Sequence, residues 1–576
     1  MAEPEAVSLV ELRVLDGPNL YFTKPAVKLT LAVPGWLAAP EDRAGSRAEA
    51  VGMPGLAGGS RPRIRPGSPE SEHRLRFVAR LAAHVARALA SAAGSNVAVR
   101  ARPGSQPDQI VVAFPWRRRT LAEALGREVA GVFGAVLDAR RSFDRLAVEA
   151  ASRLAKVEPG PAPACPEPAI PVIAVTGTNG KTTTVRLLAH LVRAAGKTVA
   201  FSSTDGVYLD DELVEAGDYS GFGGAGKALA QPGVEVAVLE TARGGILLRG
   251  MGTMHNDVAV VTNISADHLG LHGIRTLDQL AEVKSSILRI TRPGGWAVLN
   301  ADDPRVLAMR KVTRGRPWIC SLDPDHPALR TALEERGMGM TVLDEAIAVL
   351  EPGRDARSLI PLEEVPVTLA GISPNNIQNA MGAVAAALGV GLPEAAVLEG
   401  LRTFVMDPER NPGRTNLFEL DGRVIVVDYA HNEAGIQGLV DVARGLRRKG
   451  GRVWVSFASA GDRSDEIMHG MGYAAARGAD LVAISELHRY LRGRDPQDVI
   501  GRLTSGAVDG GATEVPTFPD EMRSLDWMLS SAEPGDVVAL TALGQRPEVF
   551  ADLRRRGASR VRPRRLRQLV RRARPR

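Results

Sequence analysis

The chain has 576 residues, 44% of them apolar and 24% charged, an ordinary globular composition with room for about three domains. No apolar run approaches the roughly 20 residues needed to span a bilayer. The acidic start "MAEPEAVSLVELRVL" lacks the apolar core of a signal peptide, and two cysteines, Cys165 and Cys320, offer no disulfide framework. These features predict a cytoplasmic protein without a membrane segment. The formal charge of +6 is a property of the C-terminus: residues 554–576 hold 12 arginines and no acid, and without them the chain stands at −6. Such a stretch reads either as a solvated tail or as a binder of an acidic polymer or nucleic acid. No aromatic residue interleaves with the arginines, so base stacking has no support. No nucleic-acid partner is expected elsewhere in the chain.

Residues 1–156 read as an N-terminal α+β unit. Leu12–Leu15, Leu29–Val33 and Ile110–Phe114 predict strands. Leu75, Val78, Leu81, Ala82, Val85 and Leu89 form one helical face, and Leu121–Leu137 predict a second helix. Residues 52–69, rich in Gly, Pro and Arg, predict a loop. A Pro-rich linker follows at 157–169. From Ile170 strands alternate with helices: Val172–Val175, Val199–Ser202, Val236–Leu239, Val258–Thr262 and Trp296–Leu299. That alternation predicts a central, doubly wound, mostly parallel sheet over 170–406. A second alternating unit, at 407–553, has strands at Val424–Val427, Val453–Phe457, Leu481–Ile484 and Val537–Leu540, a Rossmann-like α/β pattern. The overall class is α/β.

The stretch "VIAVTGTNGKTTTVRLL" (Val172–Leu188) carries the chemistry. A buried strand runs into Gly177-Thr178-Asn179-Gly180-Lys181-Thr182-Thr183 and then into a helix. Free backbone N–H groups and the helix dipole favour a phosphate at such a junction. Lys181 neutralises phosphate charge and the Thr182 hydroxyl reaches a magnesium ion. The first glycine of the longer P-loop would fall at residue 175, which is Val, so the spacing is the shorter Gly-x-x-Gly-Lys-Thr. Loops at the ends of later strands converge on this turn. "VLETARGG" supplies Glu240 as a metal carboxylate, and "VVTNISADHLG" supplies Asn263, Asp267 and His268.

These strings, with "EVKSSIL", "NNIQNAMGAVAAA", "NPGRTN" and "VDYAHNEAG", resemble the Mur ligase superfamily over Ile170–Asp465. Within it, "ETARGGIL", "YLRGR" and the early "ELRVLDGPNLYF" resemble the cyanophycin synthetase family. The resemblance implies an ATP- and Mg²⁺-dependent ligase that phosphorylates a carboxylate and joins it to an amine. It places Lys181 and Thr182 on the phosphates and metal, and Glu240 and His268 on metal. Lys284 falls at the position carbamylated in many Mur ligases, where a carbamate serves as a metal ligand. Asn379 and Asn376 lie near the adenine, and Arg414, Asp428 and His431, with Asn432 beside them, clasp the nucleotide from the C-terminal domain. Where the family has Pro after that Asn, this chain has Glu433.

The cyanophycin synthetase family also has an ATP-grasp domain, and about 14 residues between Lys156 and Pro171 leave no room for one. The retained half implies addition of an amino acid such as arginine to an acidic peptide or another carboxylate acceptor. Asp465, Glu466 and Glu486 are candidates to hold a guanidinium or are solvated surface acids, and Arg492 and Arg494 are candidates to attract an anionic acceptor. A homo-oligomer is the expected assembly. A peptidoglycan-type or polyglutamate-type ligase and a non-catalytic ATP-binding scaffold are the alternatives.

Overall fold

The computed structural model describes residues 6–54, 64–138, 141–267 and 269–573. His268 and residues 55–63 of the predicted 52–69 loop therefore lie outside the described residues. Three sheets organise the chain. The first is antiparallel, with strands in the order Ser8–Leu15, Ala26–Ala32, Gln109–Pro115, Arg100–Pro103. Two helices, Glu72–Ala92 and Arg119–Asp138, cover one face. Ser71 caps the first by accepting from the Arg74 N–H, and the predicted apolar face from Leu75 to Leu89 is buried. Sequence reading missed the Arg100–Pro103 strand and the helices Glu41–Ala50 and Phe143–Leu154. Each is short or Ala-rich, so periodicity had little to register.

The central sheet has eleven strands. Seven adjacent strands are parallel, in the order Met338–Leu343, Arg316–Cys320, Thr291–Asn300, Asn256–Val261, Val172–Thr176, Val236–Glu240, Val199–Ser202. Antiparallel strands extend both edges, Gly206–Leu209 and Glu212–Ala216 at one and Ala346–Leu350 and Arg357–Pro361 at the other. The chain winds first to one side of Val172–Thr176 and then to the other, so the P-loop strand stands at the topological switch point, where parallel α/β sheets open their ligand crevice. Every residue of that strand is buried, as a central parallel strand requires. The third sheet has seven strands, with Thr517–Phe518, Leu481–Ser485, Val453–Phe457, Val537–Thr541 and Arg423–Asp428 parallel and Asn416–Leu420 and Ser559–Arg560 closing one edge.

The arginine-rich C-terminus is not a solvated tail as far as residue 573. Ser559–Arg560 pairs with Phe418–Glu419, and the helix Pro563–Ala573 buries Leu566, Leu569 and Val570 against the third sheet's core. Arg565 forks onto Glu419 through two 2.7 Å bonds, and Arg571 reaches Glu363 of the central unit. Three apolar residues at helical spacing were the overlooked signal among the arginines. Among the described residues no helix is long and apolar enough to cross a membrane. Leu569→Ala removes a buried side chain, which costs about 3 kcal/mol. The C-terminal sheet should therefore unfold several degrees earlier in calorimetry, and an unchanged unfolding profile would show that this helix does not belong to the core.

Candidate active site

A cleft of about 610 Å³ opens at the switch point between the central and C-terminal sheets. Its floor is the turn between Val172–Thr176 and the helix Lys181–Ala194. Gly177 sits at φ +150°, and a Cβ there would meet Thr262 Oγ1 at 1.9 Å; Gly180 sits at φ +86° against Asn379. Both positions therefore need glycine. The neighbouring strand's loop fixes the turn: Thr178 N–H donates to the Asn263 carbonyl (2.8 Å), Asn179 N–H to Asn263 Oδ1 (2.9 Å), and the Thr262 hydroxyl to the Asn179 carbonyl (2.6 Å). Lys181 folds back, its ammonium donating to the Thr178 carbonyl at 2.8 Å.

Charge is concentrated and buried here. The Thr182 hydroxyl donates to Glu240 Oε2 at 2.9 Å, while Glu240 Oε1 is buried with no hydrogen-bond partner. Burial pushes the Glu240 carboxyl above the usual range, against the pull of Lys181, Arg414 and Thr182. Lys284, only 4% exposed, donates to the Gly177 carbonyl at 2.5 Å. Burial, reinforced by the Lys181 charge, drives its amine well below the ordinary lysine range. A carboxylate with an orphaned oxygen beside a threonine hydroxyl suits a hard divalent cation. Among the described residues no three His, Cys, Asp or Glu side chains converge as a metal cluster.

The C-terminal unit closes the other wall. Asn179 and Asn432 exchange amide hydrogen bonds of 3.1 and 3.0 Å across the two units. Asn432 also caps the helix Glu433–Leu446 by accepting from Gly435 N–H, so Glu433 is the helix's first residue in place of Pro. Arg414 stacks on Tyr429 at 4.6 Å and points Nη2 to within 3.5 Å of Thr182 Oγ1. Asp428 is held by the Thr415 N–H and hydroxyl at 2.7 and 2.9 Å, and His431 Nδ1 lies 2.8 Å from the Tyr429 carbonyl. Asp428, His431, Asn376 and Asn379 all line the cleft, and the Asn379 amide donates to Asn376 Oδ1 at 3.2 Å. Asp267 lies 3.4 Å from Arg463 and 3.8 Å from His431.

The candidate substrate acids are differently placed. Ser464 caps the helix Asp465–Gly478, so Asp465 and Glu466 are first-turn acids complementing its dipole. Asp465 pairs with Arg494 and Arg502, and Glu486 with His488. None of these three acids lines the cleft, and neither does Arg494, which bonds Asp465, Asp498 and the Arg463 carbonyl. The cleft wall there consists instead of Asp462, Arg463, Tyr490 and Arg492, with Arg243 opposite. Of the two readings open for the acids of "GDRSDE", Ser464 as a helix cap favours the surface one for Asp465 and Glu466.

Residues 175–387 match the Mur ligase middle domain, and residues 413–544 match the Mur ligase glutamate ligase domain. The chain therefore carries the middle and C-terminal domains of a Mur ligase. Over 64% of its length it is 40% identical to cyanophycin synthetase of Synechocystis sp., spanning 42% of that protein. Over 66% of its length it is 29% identical to UDP-N-acetylmuramyl-tripeptide synthetase of Deinococcus radiodurans, covering 74% of it. The Mur ligase fold is shared with a bifunctional folylpolyglutamate synthase/dihydrofolate synthase crystallised with Mn, AMPPNP and L-glutamate. That likeness has a TM-score of 0.50 at 20% identity, over 67% of this chain and 90% of the other. The chain thus spans less than half the length of the cyanophycin synthetases it matches.

Gly177→Ala tests the cradle. The added methyl displaces Thr262 or the turn, so inorganic tripolyphosphate should bind about tenfold more weakly in calorimetry, a loss of about 1.4 kcal/mol. Unchanged affinity would place anion binding elsewhere.

Proposed function

We propose that the cleft binds ATP and joins a carboxylate to an amine through an acyl phosphate, releasing ADP and phosphate. The observation that carries this reading is the juxtaposition of a glycine-formed anion cradle with buried Glu240 and Lys284 and half-buried Arg414, in a chain with two Mur ligase domains. In this reading residues 170–406 hold the phosphates and residues 407–553 close over them. Lys181 swings from the Thr178 carbonyl to the phosphates. With Arg414 it stabilises charge on the transferring phosphoryl group. Asn379 and Asn376 face the base, and Asp428 and His431 face the nucleotide from above. The amine nitrogen then attacks the activated carbonyl, phosphate departs with the former carboxylate oxygen, and the amine proton leaves. Closure of the C-terminal unit excludes water, which would otherwise hydrolyse the activated acid.

Glu240 and Thr182, together with His268, are the residues that would hold a divalent cation. Mg²⁺ there would neutralise phosphate charge and orient the phosphoryl group. Lys284 takes up CO₂ as a neutral amine, forming N–C and releasing a proton. The lowered proton affinity of its buried amine favours that reaction, and the resulting carbamate exchanges an awkward buried cation for a ligand-like anion. With labelled bicarbonate, the wild type should show a carbamate resonance in NMR spectra that Lys284→Ala lacks, and the variant should be inactive. Equal spectra would remove the carbamate.

The acceptor is an acidic peptide or aspartate side chain and the amine a basic amino acid such as arginine, in a cytoplasmic reaction. The 40% identity to cyanophycin synthetase supports this choice. The broader coverage of the muramyl-tripeptide synthetase supports the cell-wall reading as the rival. ADP release with β-Asp-Arg peptides or poly-aspartate plus arginine, beside UDP-muramyl peptides plus lysine or glutamate, separates them. Turnover is expected with the first set alone, and turnover with the muramyl set alone would reverse the assignment. Lys181→Ala should abolish turnover with the fold intact, and near-normal turnover in that variant would end the ligase reading.

A further inference from the structure

A second charged cluster lies behind the cleft, at the crossing from the central to the C-terminal unit. Asp205 follows the Val199–Ser202 strand and is partly buried. One of its oxygens accepts from Arg186 Nη2 and the other from Arg546 Nη2, each at 3.1 Å. Arg186 belongs to the P-loop helix, is 6% exposed, and places Nη1 on the Arg410 carbonyl at 3.1 Å. Arg546 opens the C-terminal unit's helix Arg546–Arg555 and places Nη1 on the Pro412 carbonyl at 3.2 Å. Each guanidinium thus has one contact on Asp205 and one on the connecting segment 410–412, two residues before Arg414.

Arg546 is itself held in place. Glu521, 1% exposed, accepts the N–H groups of Leu543, Gly544 and Gln545 and so fixes the loop that presents Arg546. The Arg546 and Arg414 guanidiniums both lie against the Tyr429 ring, at 5.8 and 4.6 Å. Burial alone would raise the Asp205 carboxyl, but Arg186, Arg546 and Arg414 outweigh it and hold it below the usual range.

We propose that Arg186, Asp205 and Arg546 form a clamp on the 410–412 crossover that sets the closed register of the two units, making Asp205 and Arg546 positioning residues for Arg414 at the nucleotide. The clamp rests on the reading of the cleft as a nucleotide site only for its consequence, not for its geometry. Neither residue lines the cleft, so each acts through the crossover and Tyr429 rather than by touching nucleotide. Arg fits this role better than Lys because a fork serves two acceptors at once.

The test is a double-mutant cycle on the full chain with two readouts. Solution scattering without nucleotide reports closure, and a fluorescent ATP analogue reports affinity. Asp205→Asn and Arg546→Gln should each expand the particle and weaken the analogue about tenfold. The double variant should be scarcely weaker than either single, because both remove one coupled unit. Arg546→Lys, able to hold one acceptor but not both, should fall between wild type and Arg546→Gln, which guards against simple misfolding. Multiplying effects, near a hundredfold for the pair, or scattering profiles identical to wild type would overturn the clamp. If wild type bound no analogue, the ligase reading would fall; equal expansion of Asp205→Asn, Arg546→Gln and their double variant would still support the clamp, and unaltered profiles would refute it.

Discussion

Burial of charge around one glycine turn is the constraint on which the site depends. Lys181, Lys284 and Arg414 crowd the same small volume as Glu240, and Lys284 and Glu240 are almost fully buried. Two unit charges 4 Å apart interact by about 4 kcal/mol at an effective dielectric of 20, and desolvation opposes each of them. The same burial pushes Glu240 up and Lys284 down, so both groups are driven toward neutrality. In the proposed reading an anionic phosphate chain with a divalent cation would supply an anion to these cations and a ligand to the orphaned Glu240 oxygen.

The topology explains why these groups meet. The P-loop strand stands where the winding of the central sheet reverses, so the loops after Val172–Thr176, Val236–Glu240 and Asn256–Val261 open onto one crevice. A second parallel sheet, reached through the 403–415 crossover, brings its own strand ends to face them. The reciprocal Asn179–Asn432 pair and the Arg414–Thr182 approach link the two walls beside the turn. A site divided between two sheets can open to exchange nucleotide and close to exclude water, which the proposed chemistry requires.

Most of this arrangement was legible because local rules and global fold agree. The apolar runs of the parallel strands and the Gly-Thr-Asn-Gly-Lys-Thr turn read directly, and Asn379, Arg414, Asp428 and His431, named from the family strings, line the cleft. Less legible were residues whose roles come from tertiary contacts. Asp205 and Arg546 are 341 positions apart, and neither stands in a recognisable string. Asp465 and Glu466 could be read from sequence either as ligands or as surface acids, and the serine before them makes them helix-start residues. The arginine-rich end misled for the opposite reason: its charge is conspicuous, and its three buried apolar residues are not.

Phosphoryl transfer to a carboxylate leaves a mark that no other use of ATP leaves. If the acceptor carboxylate carries heavy oxygen and is turned over with ATP and amine, one labelled oxygen should leave in the inorganic phosphate and the other remain in the amide. Mass spectrometry of the phosphate reads this directly. One label per amide formed is the result expected of an acyl phosphate; phosphate free of label, in a reaction that forms the amide, would contradict it.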